Sequence, residues 1–116
     1  MKTLIVLNDA AYGSERAYNG LRLANSLARH EGVDLKLFLI GDAVSCARSG
    51  QKVPPGYYNV ETMLRALAKR GASIGVCGSC IDARGINEVD LVEGAHRGSM
   101  EELTAWTLDA DKVIPF

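Results

Sequence analysis

Apolar residues recur along this chain in two different rhythms. Near-continuous runs at 3–7 (TLIVL), 34–40 (DLKLFLI) and 73–76 (SIGV) have the pattern of strands covered on both faces. Between and after them the apolar positions fall at helical spacing instead. One stripe, Ala17, Leu21, Ala24, Leu27 and Ala28, predicts a helix from Glu15 to Glu31. A second, Val60, Met63, Leu64, Leu67 and Ala68, follows Asn59, and a third, Leu103, Trp106 and Ala110, follows Ser99. Ser14, Asn59 and Ser99 carry side chains that accept from first-turn amides, so each is expected to cap a helix. Ser99 also stands in capping-box register with Glu102. Gly32 and Gly71 supply C-terminal stops.

The remaining segments are shorter. A helical turn is expected over 43–47, a short helix over 79–84 ending at Gly85, and a weak fourth strand over 89–92 (VDLV). KVIPF, at 112–116, closes the chain as a last strand, with Pro115 placing its end at a sheet margin. Strands alternating with helices predict an α/β domain with a mostly parallel sheet of about five strands. With no repeat or linker, residues 1–116 read as a single domain, long enough to bury a core of its own.

Composition narrows the function classes. A formal charge of −1, with lysines and arginines scattered, offers no electrostatic footprint for nucleic acid or an anionic membrane. The longest apolar run, LFLI, is far too short to span a bilayer. MKTLIVLNDA meets Asn8 and Asp9 too soon for a signal-peptide core and reads as a strand, so a cytoplasmic location is expected. Three cysteines make a poor disulfide framework but suit reactive thiols. No P-loop or GxGxxG fingerprint is present, and no cofactor is expected.

In an open parallel sheet the site lies beyond the carboxyl ends of the strands. Asn8, Asp9, Gly41, Asp42 and Cys77 occupy those places, with Cys46 one short turn after the second strand. Cys77 and Cys80 form a CxxC pair around Gly78 and Ser79. A helix starting after Cys77 would favour its thiolate, the nucleophilic form. Four readings of the pair stand open: buried small side chains, a zinc clip, a thioredoxin-like dithiol and a sulfur-handling nucleophile. Zinc would need Cys46, Cys77, Cys80 and His96 together, without the usual second ligand pair, so no metal is expected. The dithiol reading lacks the flanking aromatic and proline residues. His30 reads as a helix-end side chain and His96 as a solvated loop residue. Arg16 and Asn19 share a helix side that reaches toward the crevice, and Arg22 points to solvent or an interface. The loop at 48–58, with two prolines, suggests a cover that brings Tyr57 or Tyr58 over the thiols.

CGSCIDARGI, at 77–86, resembles the active segment of DsrE/DsrF-like proteins, in which a cysteine after a central strand precedes a short helix ending in Arg-Gly. Counting back from Gly85, Cys77 takes the family's sulfur-binding position and Cys80 is additional. The likeness extends through SERAYNGLRLANSLA, LIGDAV and GSMEELTAWTLDADKVIPF. It implies a three-layer α/β fold related to sulfur-relay and YchN-like proteins, assembled as a homotrimer or hexamer. It further implies that sulfane sulfur is held as a persulfide on Cys77, assisted by Cys80, between donor and acceptor proteins. Cys46, Asn8, Asp42, Arg16, Arg84 and Tyr58 are the supporting candidates. If the protein turns over, it is a sulfurtransferase; the alternative is a redox- or ligand-sensing module of the same fold.

Overall fold

The computed structural model describes residues 1–116. Five parallel strands, β1 (Lys2–Leu7), β2 (Asp34–Leu39), β3 (Ser73–Cys77), β4 (Ala95–Gly98) and β5 (Lys112–Pro115), lie in the order β4-β3-β2-β1-β5. Helices α1 (Arg16–Ala28) and α2 (Val60–Lys69) pack together, and α1 lies against β1 and β2. Helix α4 (Met100–Asp109) sets Trp106 edge-on to Phe38 of β2, ring centroids 6.0 Å apart. The short α3 (Gly78–Ala83) continues straight from β3.

The apolar runs predicted as strands are the central ones. Leu4, Ile5, Leu7, Leu37, Leu39, Ile74 and Val76 are fully buried, which is why their segments show no polar alternation. Asn59 caps α2 as expected, accepting from the Thr62 amide at 3.0 Å. Ser99 caps α4 by accepting from the Glu102 amide, but the Glu102 carboxylate turns to His96 instead of closing the box.

Three expectations are corrected. Ser14 is not the N-cap residue of α1: that is Glu15, without a side-chain bond, although the Ser14 hydroxyl accepts from the Arg16 amide at 3.3 Å and donates to Asp9 at 2.7 Å. The helix also ends at Ala28, before Glu31. Residues 89–92 are not the fourth strand. Glu88–Asp90 form a 3-10 turn, and Leu91 pairs with Arg48 outside the sheet. The fourth strand lies six residues further on, at an edge, and carries His96, which is therefore not a loop residue. The closing strand is an edge strand, as Pro115 required, because an edge position leaves its missing amide without cost.

Candidate functional site

β3 delivers Cys77 to the carboxyl end of the sheet, and α3 starts with the next residue. Just under one turn of helix brings Cys80 back toward it, with the two Cα atoms 5.2 Å apart, inside the range a disulfide needs. The two sulfurs are joined as a disulfide. Their surroundings differ. Cys77 is only 8 % exposed, and its sulfur lies 3.4 Å from the Ser79 hydroxyl. Cys80 is half-buried, and its sulfur accepts a hydrogen bond from the Gly41 amide at 3.2 Å. Gly41 follows β2 with φ +60°, a left-handed bend that favours glycine and helps aim this amide at the sulfur. Arg84 ties the arrangement down, donating to the Cys80 carbonyl at 3.0 Å and to Asp42 at 2.8 Å.

A cavity of about 260 Å³ opens at Cys77. Phe38, Ile40, Ser79, Arg97 and Met100 contribute to its wall, and Cys80 does not. Arg97 is the charged side chain in that wall, and it makes a two-point ion pair with Asp82, both bonds 2.8 Å. The Arg97 hydrogen bonds hold the Asp82 carboxyl below the ordinary carboxylate value, and the same pairing raises Arg97. The guanidinium crosses directly over Gly78, where a Cβ would stand 2.8 Å from Nε. A side chain at position 78 would push Arg97 off the mouth.

This geometry, a thiol pair at the carboxyl end of β3 with an arginine beside it, sits in a fold that has counterparts among known proteins. The DsrE/DsrF-like family model matches residues 1–116. The chain belongs to the DsrE/DsrF-like family. Protein YchN of Escherichia coli strain K12 is 45 % identical over 116 residues, covering 99 % of this chain and 98 % of its own length. An uncharacterised protein of Methanocaldococcus jannaschii is 38 % identical over the full length of both chains. The crystal structure of the Escherichia coli YchN protein superposes with a TM-score of 0.94 at 44 % identity, covering 100 % of this chain and 99 % of that one. Membership of this family suggests a sulfur-relay-like role.

The DsrE-like fold gathers some of the candidate residues and disperses others. Asp42 and Arg84 stand beside Cys80, as described. Cys46 lies in the 3-10 segment Gly41–Ala47 after β2, but it faces inward and is fully buried, its sulfur 3.8 Å from the Asp9 carbonyl. Burial pushes its thiol up to about 12, so it stays protonated and packs as a small apolar group. Asn8 bonds the Phe116 carbonyl and so fastens the chain end to β1. Arg16 is exposed, 3.9 Å from Asp9, and Arg22 lies over the Tyr18 ring.

The 48–58 loop does not cover the thiols. Tyr58 stacks on Tyr18 at 4.0 Å and on Tyr12 at 5.7 Å, and Tyr57 stands exposed. Tyr12, Tyr57 and Tyr58, with Pro54 and Lys52, frame a separate cavity of about 420 Å³. His96 is engaged by Glu102 at 2.8 Å, and no three His, Cys, Asp or Glu side chains converge in a metal-holding group. No helix is long and apolar enough to cross a membrane.

Sequence reasoning missed Arg97 and Asp82. AHRG has no apolar run to announce a strand, and Arg97 sits on that edge strand. One signal was available: Ser99 starts a helix, and a strand precedes the other long helices of this chain, so Gly98 was the natural strand end.

Proposed function

We propose that this protein is a sulfur carrier or sulfurtransferase-like protein that holds sulfane sulfur as a persulfide on Cys77. The observation that carries the reading is the pairing itself: one thiol opens onto a cavity and a second lies within bonding distance of it. In the dithiol form the Cys77 thiolate attacks the outer sulfur of a donor persulfide. The donor's sulfur–sulfur bond breaks, the donor departs as a thiolate, and the outer sulfur stays on Cys77. Release has two routes. An acceptor thiolate can take the outer sulfur and leave Cys77 as a thiolate. Alternatively, the Cys80 thiolate attacks Cys77 Sγ, expels hydrosulfide and closes the disulfide.

Replacing each cysteine separates the roles. With one sulfane-sulfur donor, Cys77→Ser should not load, while Cys80→Ser should load and lose the internal release route. Mass measurement reads loading, and hydrosulfide production reads release. Loading of Cys77→Ser with none on Cys80→Ser would reverse the assignment. A second reading is favoured by the disulfide: a redox-sensing module, in which opening and closing of the pair is itself the signal. Absence of loading from every donor, with reversible oxidation intact, would select it.

A homotrimer or a multiple of it accompanies this reading, as does a cytoplasmic location, where the dithiol form is maintained. Support for assembly comes from α4, which buries no residue fully in the single chain and leaves Leu108 84 % and Met100 63 % exposed. Val113 of β5 is exposed beside it. A scattering mass of one chain across micromolar concentrations would remove the assembly claim.

A further inference from the structure

The two sulfurs of the disulfide are not equivalent, and the difference gives the bond a direction. Thiol–disulfide exchange depends on which sulfur is reached and on how well the other leaves as a thiolate. Cys77 Sγ is the one that faces the cavity, and its own hydrogen-bonding neighbour is only the Ser79 hydroxyl. Cys80 Sγ takes no part in the cavity wall and instead receives the Gly41 amide. An amide aimed at sulfur stabilises the charge that develops on a leaving thiolate. A nucleophile coming through the cavity therefore meets Cys77 from a side that Cys80 does not occupy. The bond then breaks toward Cys80, where the Gly41 amide meets the developing charge.

The cavity also restricts the nucleophile. Its volume is about 260 Å³, Cys77 is 8 % exposed within it, and Arg97 is its charged side chain. A sulfur so little exposed is reached most easily by a very small nucleophile, and the Arg97 guanidinium, although paired with Asp82, is the cation in the cavity wall. Resting on the carrier reading above, we propose that hydrosulfide is a direct sulfur source: it enters this cavity, attacks Cys77 Sγ of the disulfide and expels Cys80 as a thiolate. The new bond joins the incoming sulfur to Cys77 as the Cys77–Cys80 bond breaks, and the electron pair departs on Cys80. The incoming sulfur is oxidised from sulfide to the persulfide level, and the disulfide is the oxidant, consumed once per sulfur loaded. The proton brought by hydrosulfide is lost to solvent as the persulfide ionises. The disulfide form is thereby a loading state and not only the residue of sulfur release.

The test uses wild-type protein with its disulfide intact and no other thiol present. It is mixed with sodium sulfide without oxygen and quenched with an alkylating agent. Fragmentation of the peptide spanning 77–80 then locates each product. The expected result is a persulfide on Cys77 and an alkylated thiol on Cys80 in equal amounts, with Cys46 unmodified. A persulfide on Cys80 beside a free Cys77 thiol, or a disulfide that sulfide leaves closed, overturns the inference. A parallel arm gives the reduced protein a sulfane-sulfur donor such as polysulfide. Loading there without opening by sulfide sinks this inference alone; failure of both arms sinks the carrier reading with it. Persulfide on Cys77 in the sulfide arm upholds the inference whatever the second arm gives.

Discussion

Cys77 ends β3 and Cys46 follows the neighbouring strand β2, at the same end of the sheet. One is sealed and the other opens onto a cavity. The 3-10 segment after β2 carries Cys46 inward against the Asp9 carbonyl, where burial keeps the thiol protonated. After β3 the chain enters α3 at once, and Gly78 leaves the space through which Arg97 reaches over the mouth. Position beyond a strand end makes a thiol a candidate. The path of the next few residues decides whether it meets solvent or the core.

The contrast is broken most directly by alkylation of the reduced protein. Cys77 and Cys80 are expected to react at least ~100-fold faster than Cys46, which is sealed and holds its proton. Labelling followed by peptide mass analysis reads the ratio, and comparable rates at Cys46 would dissolve the distinction. The next largest effect is on stability. Cys46→Ser puts a hydroxyl into the sealed site and should cost about 1–3 kcal/mol in denaturant unfolding, with sulfur loading kept. Loss of loading without loss of stability would return Cys46 to the site.

The smallest effect concerns the ion pair at the open mouth. Asp82 has its folded value lowered, chiefly by its hydrogen bonds to Arg97. The pair's contribution is thus present above the ordinary carboxylate value, roughly 4, and is lost as pH falls through the depressed folded value. Asp82→Asn should lower the melting temperature slightly at neutral pH, and the difference from wild type should vanish in acid. A difference that persists in acid would mean that Asp82 acts through something other than its charge.

The same sealed-or-open distinction explains what could be read from the sequence. β1, β2 and β3 were legible because both their faces are covered, so Leu4, Leu37 and Ile74 sit in unbroken apolar runs. VDLV at 89–92 imitated a strand, yet Val89 is 88 % exposed while Val92 is buried, the mark of a segment that crosses from surface to core. β4 gave no such sign, being a four-residue edge strand with His96 and Arg97 exposed. The Cys77–Cys80 pair was legible because its spacing and its place after a strand are both local. The sealing of Cys46, the reach of Arg97 and the Gly41 amide on Cys80 depend on contacts between distant segments. Nothing in CARSG or AHRG announces them. The expected cover by Tyr57 or Tyr58 failed for a similar reason: Tyr12 and Tyr18 hold Tyr58 in a stack of their own.

The central claim is that Cys77, and not either of the other two thiols, bears the sulfur. Its most direct test is to expose the reduced wild-type protein to a sulfane-sulfur donor and locate the added sulfur by fragmenting the modified peptides. The account predicts a persulfide on Cys77, with Cys46 unmodified and Cys80 found only as a free thiol or in the disulfide left after release. Sulfur fixed on Cys46 or Cys80 while Cys77 remains a free thiol would contradict it.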